Sequence, residues 1–347
     1  MKRGSRFFLN VMILFAIATS AVFLAGCGCN GDGTDKDEVN IDTNKLPDVQ
    51  IKIKRYEKAL FSLNIDSLAS ELKRIQPEYY FFLEADLDDP ENIRQMKDYL
   101  SDTHIKENYE ACMKKYPDLS FLEKDLSLAF SYYKFIFPDS TVPQVYTYVS
   151  GGDYEMPIKY NDSVLIIALD MYLGKKYPDY QKYGLPAYKL KWFDTPYLVR
   201  DVMEEVGIPA CSNDVQNGTF LDQMIALGKL YYFLDVTLPS VPDSIKIKYS
   251  AKEMLWCRQN EGNLWSYFVE NKVLFSKDPD IMKKYFMDGP FTTTFGKESP
   301  PRVAIWVGWQ IVRAYMREQK EKDFIRLIRE KDAQKILQIS KYKPKKS

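Results

Sequence analysis

Apolar residues recur along this chain at two spacings, and each predicts a different element. From Ser120 to Phe137, Leu122, Leu126, Ala129, Phe130, Tyr133 and Phe137 fall at three- and four-residue steps. That spacing puts them on one face of a helix, and Pro138 ends it. Similar patterns predict helices that begin at Ser67 and end before Pro77, and that run from Ile93 to Leu100. Thr195-Pro196 has the form of a helix start, with the pattern continuing from Tyr197 to Val206, and another helix is expected over residues 219–235. The period shortens to two in Ile51-Lys52-Ile53, read as a lone strand, and again over residues 143–169. Val145-Tyr146-Thr147-Tyr148-Val149 reads as a strand, Gly151-Gly152-Asp153 as a turn, and Val164 to Leu169 as a second, fully apolar strand. The pattern predicts a mainly helical α+β domain over residues 50–340, with a small antiparallel sheet near 143–169.

Aromatic residues concentrate between Tyr249 and Met316. This stretch reads as two amphipathic helices joined by a loop carrying Asp288-Gly289-Pro290-Phe291 and Ser299-Pro300-Pro301-Arg302. The second helix is Val303 to Met316. Trp256, Trp265, Trp306 and Trp309 all lie in the stretch, and Trp buries a large area, so this is the expected heart of the core. Polar residues are woven through it. Arg258 and Glu261 sit one turn apart, as do Gln310 and Arg313. They are either solvated helix faces or the lining of a groove that holds a ligand or partner.

Composition narrows the chemistry. The chain carries 48 basic and 48 acidic residues and one histidine, His104. A neutral balance with no basic stripe or zinc knuckle excludes a nucleic-acid partner. A lone His, in a polar stretch expected at the surface, argues against a zinc hydrolase with several His ligands and against a Ser or Cys hydrolase with a His base. The reading calls for no cofactor and no metal.

The first 26 residues have the form of a targeting segment. Lys2, Arg3 and Arg6 precede an apolar run from Phe7 to Phe23, and Leu24-Ala25-Gly26-Cys27 closes it. This is a lipoprotein signal, so Cys27 is the expected lipidation site. The mature chain is expected in the cell envelope, lipid-anchored to a membrane, at the periplasmic face before the cell surface. Residues 27–49 read as an acidic linker and 341–347 as a basic tail. Cys112, Cys211 and Cys257 lie in the body, with their pairing open.

Several blocks together resemble the gliding-motility-associated lipoprotein GldB family. They are the lipobox at Cys27, Val164 to Gly174, Gly228 to Asp235, and Trp256-Cys257 with Asn260-Glu261 and Trp265. The most specific is Gly289-Pro290-Phe291 with Ser299 to Arg302 and Gly308 to Met316. The layout is also similar to a predicted zinc-peptidase family, in which a sheet precedes a helix bearing H-E-x-x-H. That motif puts two His on one helix face to grip zinc, with the Glu as general base. The corresponding helix here reads Arg200-Asp201-Val202-Met203-Glu204. The resemblance therefore implies a zincin-like layout with its metal site lost. Arg200, Asp201 and Glu204 are the candidate degenerate site, and Arg200 and Glu204 are expected to pair at i,i+4.

The resemblance implies a non-enzymatic envelope lipoprotein, part of or accessory to gliding-motility or secretion machinery, with envelope proteins as partners. The alternative is a binding module for a small envelope ligand, a peptide or glycan, in a degenerate peptidase cleft. An enzyme using carboxylates alone is a third class, but nothing in the sequence places two of them across a cleft.

Overall fold

Four short strands, fourteen α-helices and seven short 3-10 turns lie in the part of the chain that the computed structural model describes, residues 41–211 and 218–345. The targeting segment expected at 1–26, Cys27, most of the linker and residues 346–347 lie outside the described residues. The strands are β1 (Ile53–Arg55), β2 (Gln144–Tyr148), β3 (Ile158–Tyr160) and β4 (Val164–Ala168). Before β2 come α1 (Tyr56–Phe61), α2 (Leu68–Ile75), α3 (Pro90–Ser101), α4 (Thr103–Lys115) and α5 (Ser120–Ile136). After β4 come α6 (Asp179–Lys182), α7 (Thr195–Cys211), α8 (Phe220–Thr237), α9 (Asp243–Lys246) and α10 (Ala251–Glu270). The last are α11 (Pro279–Phe286), α12 (Val303–Glu318), α13 (Phe324–Arg329) and α14 (Ala333–Ser340). The fold is mainly helical α+β, in line with the hydrophobic pattern.

The sheet is mixed, in the order β1-β2-β4-β3. This corrects the antiparallel sheet expected from the sequence. β2 and β4 run parallel, with Tyr146 opposite Ile166, and β1 is parallel to β2, with Ile53 opposite Val145. The only antiparallel pair among the described strands is β3 with β4. The physical reason is the intervening strand. Gly151 and Gly152, at φ of 73° and 102°, turn the chain out of β2. It then travels to the far edge and comes back as β3. A tight turn follows, in which the Asn161 side chain accepts from the backbone of Ser163 and Val164. β4 then inserts between β3 and β2. A central strand is covered on both faces, which is why β4 is apolar throughout. Val145, Leu165 and Ile167 face the main core, while Tyr146 and Val164 face a smaller one that includes Leu60, Leu72 and Leu83. The strand read as solitary near Ile53 is the sheet's other edge.

Asp170, just past β4, locks the glycine turn. Its carboxylate accepts from the backbone N–H of Ser150, Gly151 and Gly152. Burial pushes this carboxyl up, and those donors oppose the shift.

The centre of the main core is the crossing of α8 and α12. α8 is buried on nearly every side, and α12 from Val303 to Met316 is buried throughout. The axes approach closely because Gly228 meets Gly308. A Cβ on Gly308 would lie 2.0 Å from the Met224 carbonyl oxygen, and one on Gly228 would lie 2.3 Å from the Gly308 carbonyl oxygen. The other aromatic helix, α10, is peripheral. Its Trp256 and Trp265 are half-buried, whereas Trp306 and Trp309 are buried. The C-terminal arm is two helices, and Phe324, Leu327 and Ile336 reach the main core. Cys112, Cys211 and Cys257 are buried thiols without disulfides. No helix among the described residues is long and apolar enough to cross a membrane.

Candidate functional site

Helix α7 carries the site. It begins at Thr195-Pro196, where Asp194 Oδ1 accepts from the Thr195 N–H, and it packs against α8, β3 and α9. One turn in, Arg200 points into the protein and is 1% exposed. A guanidinium has five N–H donors and no acceptor, so burial demands an oxygen for each. Nε donates to the Lys246 carbonyl at 2.6 Å. Nη1 donates to Asp201 Oδ1 at 2.9 Å and to Glu204 Oε2. Nη2 donates to Glu204 Oε1 at 2.6 Å and to the Tyr231 hydroxyl at 3.1 Å. Burial alone would disfavour the charge, but Glu204, Tyr231 and Asp201 hold Arg200 firmly protonated. Burial likewise works against the Glu204 carboxylate, and Arg200 and Lys248 bring it below the usual range.

Other elements complete the surroundings. Asp201 also accepts from Tyr172 at 3.1 Å and pairs with Lys248 at 2.8 Å. Arg302 donates to the Ile247 carbonyl at 2.7 Å and to the Tyr231 hydroxyl at 3.3 Å. Its Nε lies 2.9 Å from Asp288 Oδ1 but off the hydrogen-bond axis, so that contact is coulombic. Lys189 reaches the other Asp288 oxygen at 3.3 Å. These groups wall a polar cleft of about 210 Å³, with Trp192, Phe193, Tyr154 and Ile158 on its sides. Glu205 also lines it, and no hydrogen bond or ion pair reaches that carboxylate among the described residues. Burial, with Glu204 and Asp201 alongside, pushes the Glu205 carboxyl up to about 6.

Two cations of the cleft sit on left-handed backbone, Lys248 at φ 59° and Arg302 at φ 56°. Such a conformation costs a non-glycine residue about 1–3 kcal/mol and persists only where its surroundings enforce it. Here the Lys248 carbonyl accepts from Trp192 Nε1 at 3.0 Å, and both cations lie over the Trp192 ring.

The donor set does not fit zinc. Arg200 and Glu204 stand at i and i+4 on α7 and are bonded to each other. Arg cannot give a lone pair. Its buried guanidinium puts positive charge beside the Glu204 and Asp201 carboxylates, which disfavours a cation there.

The second sequence-derived set does not converge. Arg258 is exposed on α10, and Glu261 accepts from Tyr342 at 2.7 Å. Gln310 is buried in α12 with its Nε2 unpartnered. Arg313 is buried in the α8–α12 contact. Its Nε and Nη2 bond Asp235 at 2.8 Å each, and Nη1 and Nη2 bond Asp243 at 2.7 and 2.8 Å. Lys246 and Trp309 Nε1 also bond Asp235, at 2.9 and 2.8 Å. Arg313 is thus an ion-pair partner in the core and is not among the residues lining the Arg200 cleft. Burial raises Asp235, but Arg313 and Lys246 outweigh it and hold the carboxyl below its usual range.

Sequence reading missed Lys248, Glu205 and Asp288 as cleft residues. Arg302, Tyr231 and Tyr172 lay within the blocks that carried the resemblance, which was the available signal. Fold and site together define a mainly helical α+β protein with a cleft walled by ion pairs, the Arg200–Glu204 pair among them. The model of the gliding motility protein GldB family matches residues 36–344, and the chain belongs to that family. No similar curated protein and no similar solved structure was found.

Proposed function

We propose that this chain is a lipid-anchored, non-enzymatic envelope component of a gliding-motility apparatus. Family membership supports the motility assignment. The single observation behind the non-enzymatic reading is Arg200, buried and bidentate on Glu204 where a metallopeptidase would present an imidazole. Residues 1–26 would direct export, and a diacylglycerol on Cys27 would hold the chain at the membrane, on the periplasmic face before the cell surface. Incubating the full-length protein with a protein substrate and added zinc should give no hydrolysis above a Glu204→Gln control. Hydrolysis that disappears in that control would contradict the reading. Fatty-acid labelling should mark the wild type and fail on Cys27→Ser; undiminished label on the variant would remove the anchor.

The cleft supports a second reading, in which it binds a small envelope ligand, a peptide or glycan. Glu205 favours it. A carboxylate that no hydrogen bond or ion pair reaches among the described residues, beside the Arg200–Glu204 and Lys248–Asp201 pairs, is a ready acceptor for a ligand donor.

A further inference from the structure

The lone histidine lies away from this cleft, in a cluster that the motility reading does not use. His104, in the first turn of α4, faces two carboxylates. One is Glu107, one turn on along the same helix, with Oε2 at 3.7 Å from His104 Nδ1. The other is Asp179, which starts α6, with Oδ2 at 3.6 Å from the same nitrogen. Both separations are too long for hydrogen bonds. They are close to the spacing between ligand atoms around a tetrahedral ion, about 3.3–3.6 Å for bonds of about 2.0–2.2 Å. The three ligand atoms all lie within 4.8 Å of one another.

The surroundings are organised as those of a metal ligand usually are. The Asp179 side chain is 3% exposed, and Lys182 holds its other oxygen, Oδ1, at 2.6 Å. The Tyr177 hydroxyl lies between Asp179 Oδ2, at 3.3 Å, and the Asn108 side-chain oxygen. Asn108 is fully buried and donates in turn to the Tyr183 hydroxyl at 2.8 Å. Tyr183 meets the His104 ring edge-on at 5.9 Å. A buried network therefore fixes the carboxylate, while His104 is 40% exposed and open to an arriving ion.

The geometry points to a divalent transition-metal site formed by His104 Nδ1, Glu107 and Asp179. One imidazole with two carboxylates suits zinc, and water would take the remaining position. Calcium and magnesium prefer oxygen ligands only. The ion would tie the start of α4 to α6, which are joined otherwise through the Asn108–Tyr177–Tyr183 bonds.

The test is titration of the metal-free full-length chain with zinc, and separately with cobalt(II) for its visible spectrum. The inference expects one ion per chain, a tetrahedral-type cobalt spectrum and a melting temperature that rises with added zinc. His104→Ala should abolish all three, and its exposed position lets it fold. Tyr177→Phe should keep the site but weaken it by about tenfold, as loss of a supporting hydrogen bond does. Equal zinc affinity in wild type and His104→Ala, or a cobalt spectrum like that of the free aqueous ion, would reduce the cluster to an ion pair and overturn the inference.

Discussion

Two buried ionic clusters meet on helix α8, one centred on Arg313 and one on Arg200. They share neighbours. Tyr231 and Asp235 stand one turn apart on α8, the first bonded to Arg200 and the second to Arg313. Lys246 serves both, giving its carbonyl to Arg200 and its ammonium to Asp235. The Arg313 cluster is closed in charge: Arg313 and Lys246 against Asp235 and Asp243, with Trp309 donating and the guanidinium 3.9 Å from its ring centre. The Arg200 cluster opens onto a cleft, holds two cations on strained backbone and carries the surplus carboxylate of Glu205. Closed pairing with no free group is what a brace needs. An unpaired carboxylate and strained backbone beside open space are what the proposed binding site would use.

The sharpest way to break this contrast is to remove each arginine. Arg313→Ala leaves Asp235 buried without its main partner and should cost about 3–5 kcal/mol, unfolding much of the protein. Urea melts of the full-length chain in detergent measure it, and a loss below about 1 kcal/mol would show that the cluster is no brace. Gly308→Ala should cost about 3 kcal/mol, because its Cβ would meet the Met224 backbone. That change separates α8 from α12 and should loosen the Arg313 cluster first. Arg200→Ala should cost less, about 2 kcal/mol, since Lys248 and water from the cleft can take over Asp201 and Glu204.

Glu205 provides the smallest effect and a pH signature. Its folded pKa is raised from 4.5 to about 6, so folding favours the protonated form. The associated stability is fully present below about pH 4.5 and is lost as pH rises through about 6. Glu205→Gln keeps the neutral form. It should therefore match wild type at pH 4 and exceed it above pH 6.5, by no more than about 1 kcal/mol after solvent screening. A variant that is equally stable or less stable at high pH would mean that the carboxylate has a partner.

The sequence was readable wherever the cause was local. Thr195-Pro196 marks the start of α7, and the spacing of Arg200 and Glu204 places both on one helix face. The strands near Val145 and Val164 were legible from composition, but their pairing was not. A three-residue strand, Ile158–Tyr160, is too short to show a period, and it decides the direction of β4. Arg313 read as part of a solvated face or a groove lining because Gln310 lies one turn away and makes a polar stripe. Its real partner, Asp235, is 78 residues distant in the chain, and no local pattern exposes that pairing. Lys248 and Asp288 reach the cleft for the same non-local reason.

Glu205→Lys tests most directly the proposal that the Arg200 cleft serves the motility role by binding a ligand. The new ammonium would enter the cleft beside Glu204 and Asp201 without removing any paired group. Melting of the full-length variant should stay within about 0.5 kcal/mol of wild type. Introduced into a strain lacking the gene, it should be lipidated and present at normal level, and the cells should fail to spread by gliding. A stable, lipidated Glu205→Lys protein that restores gliding in full would contradict the account.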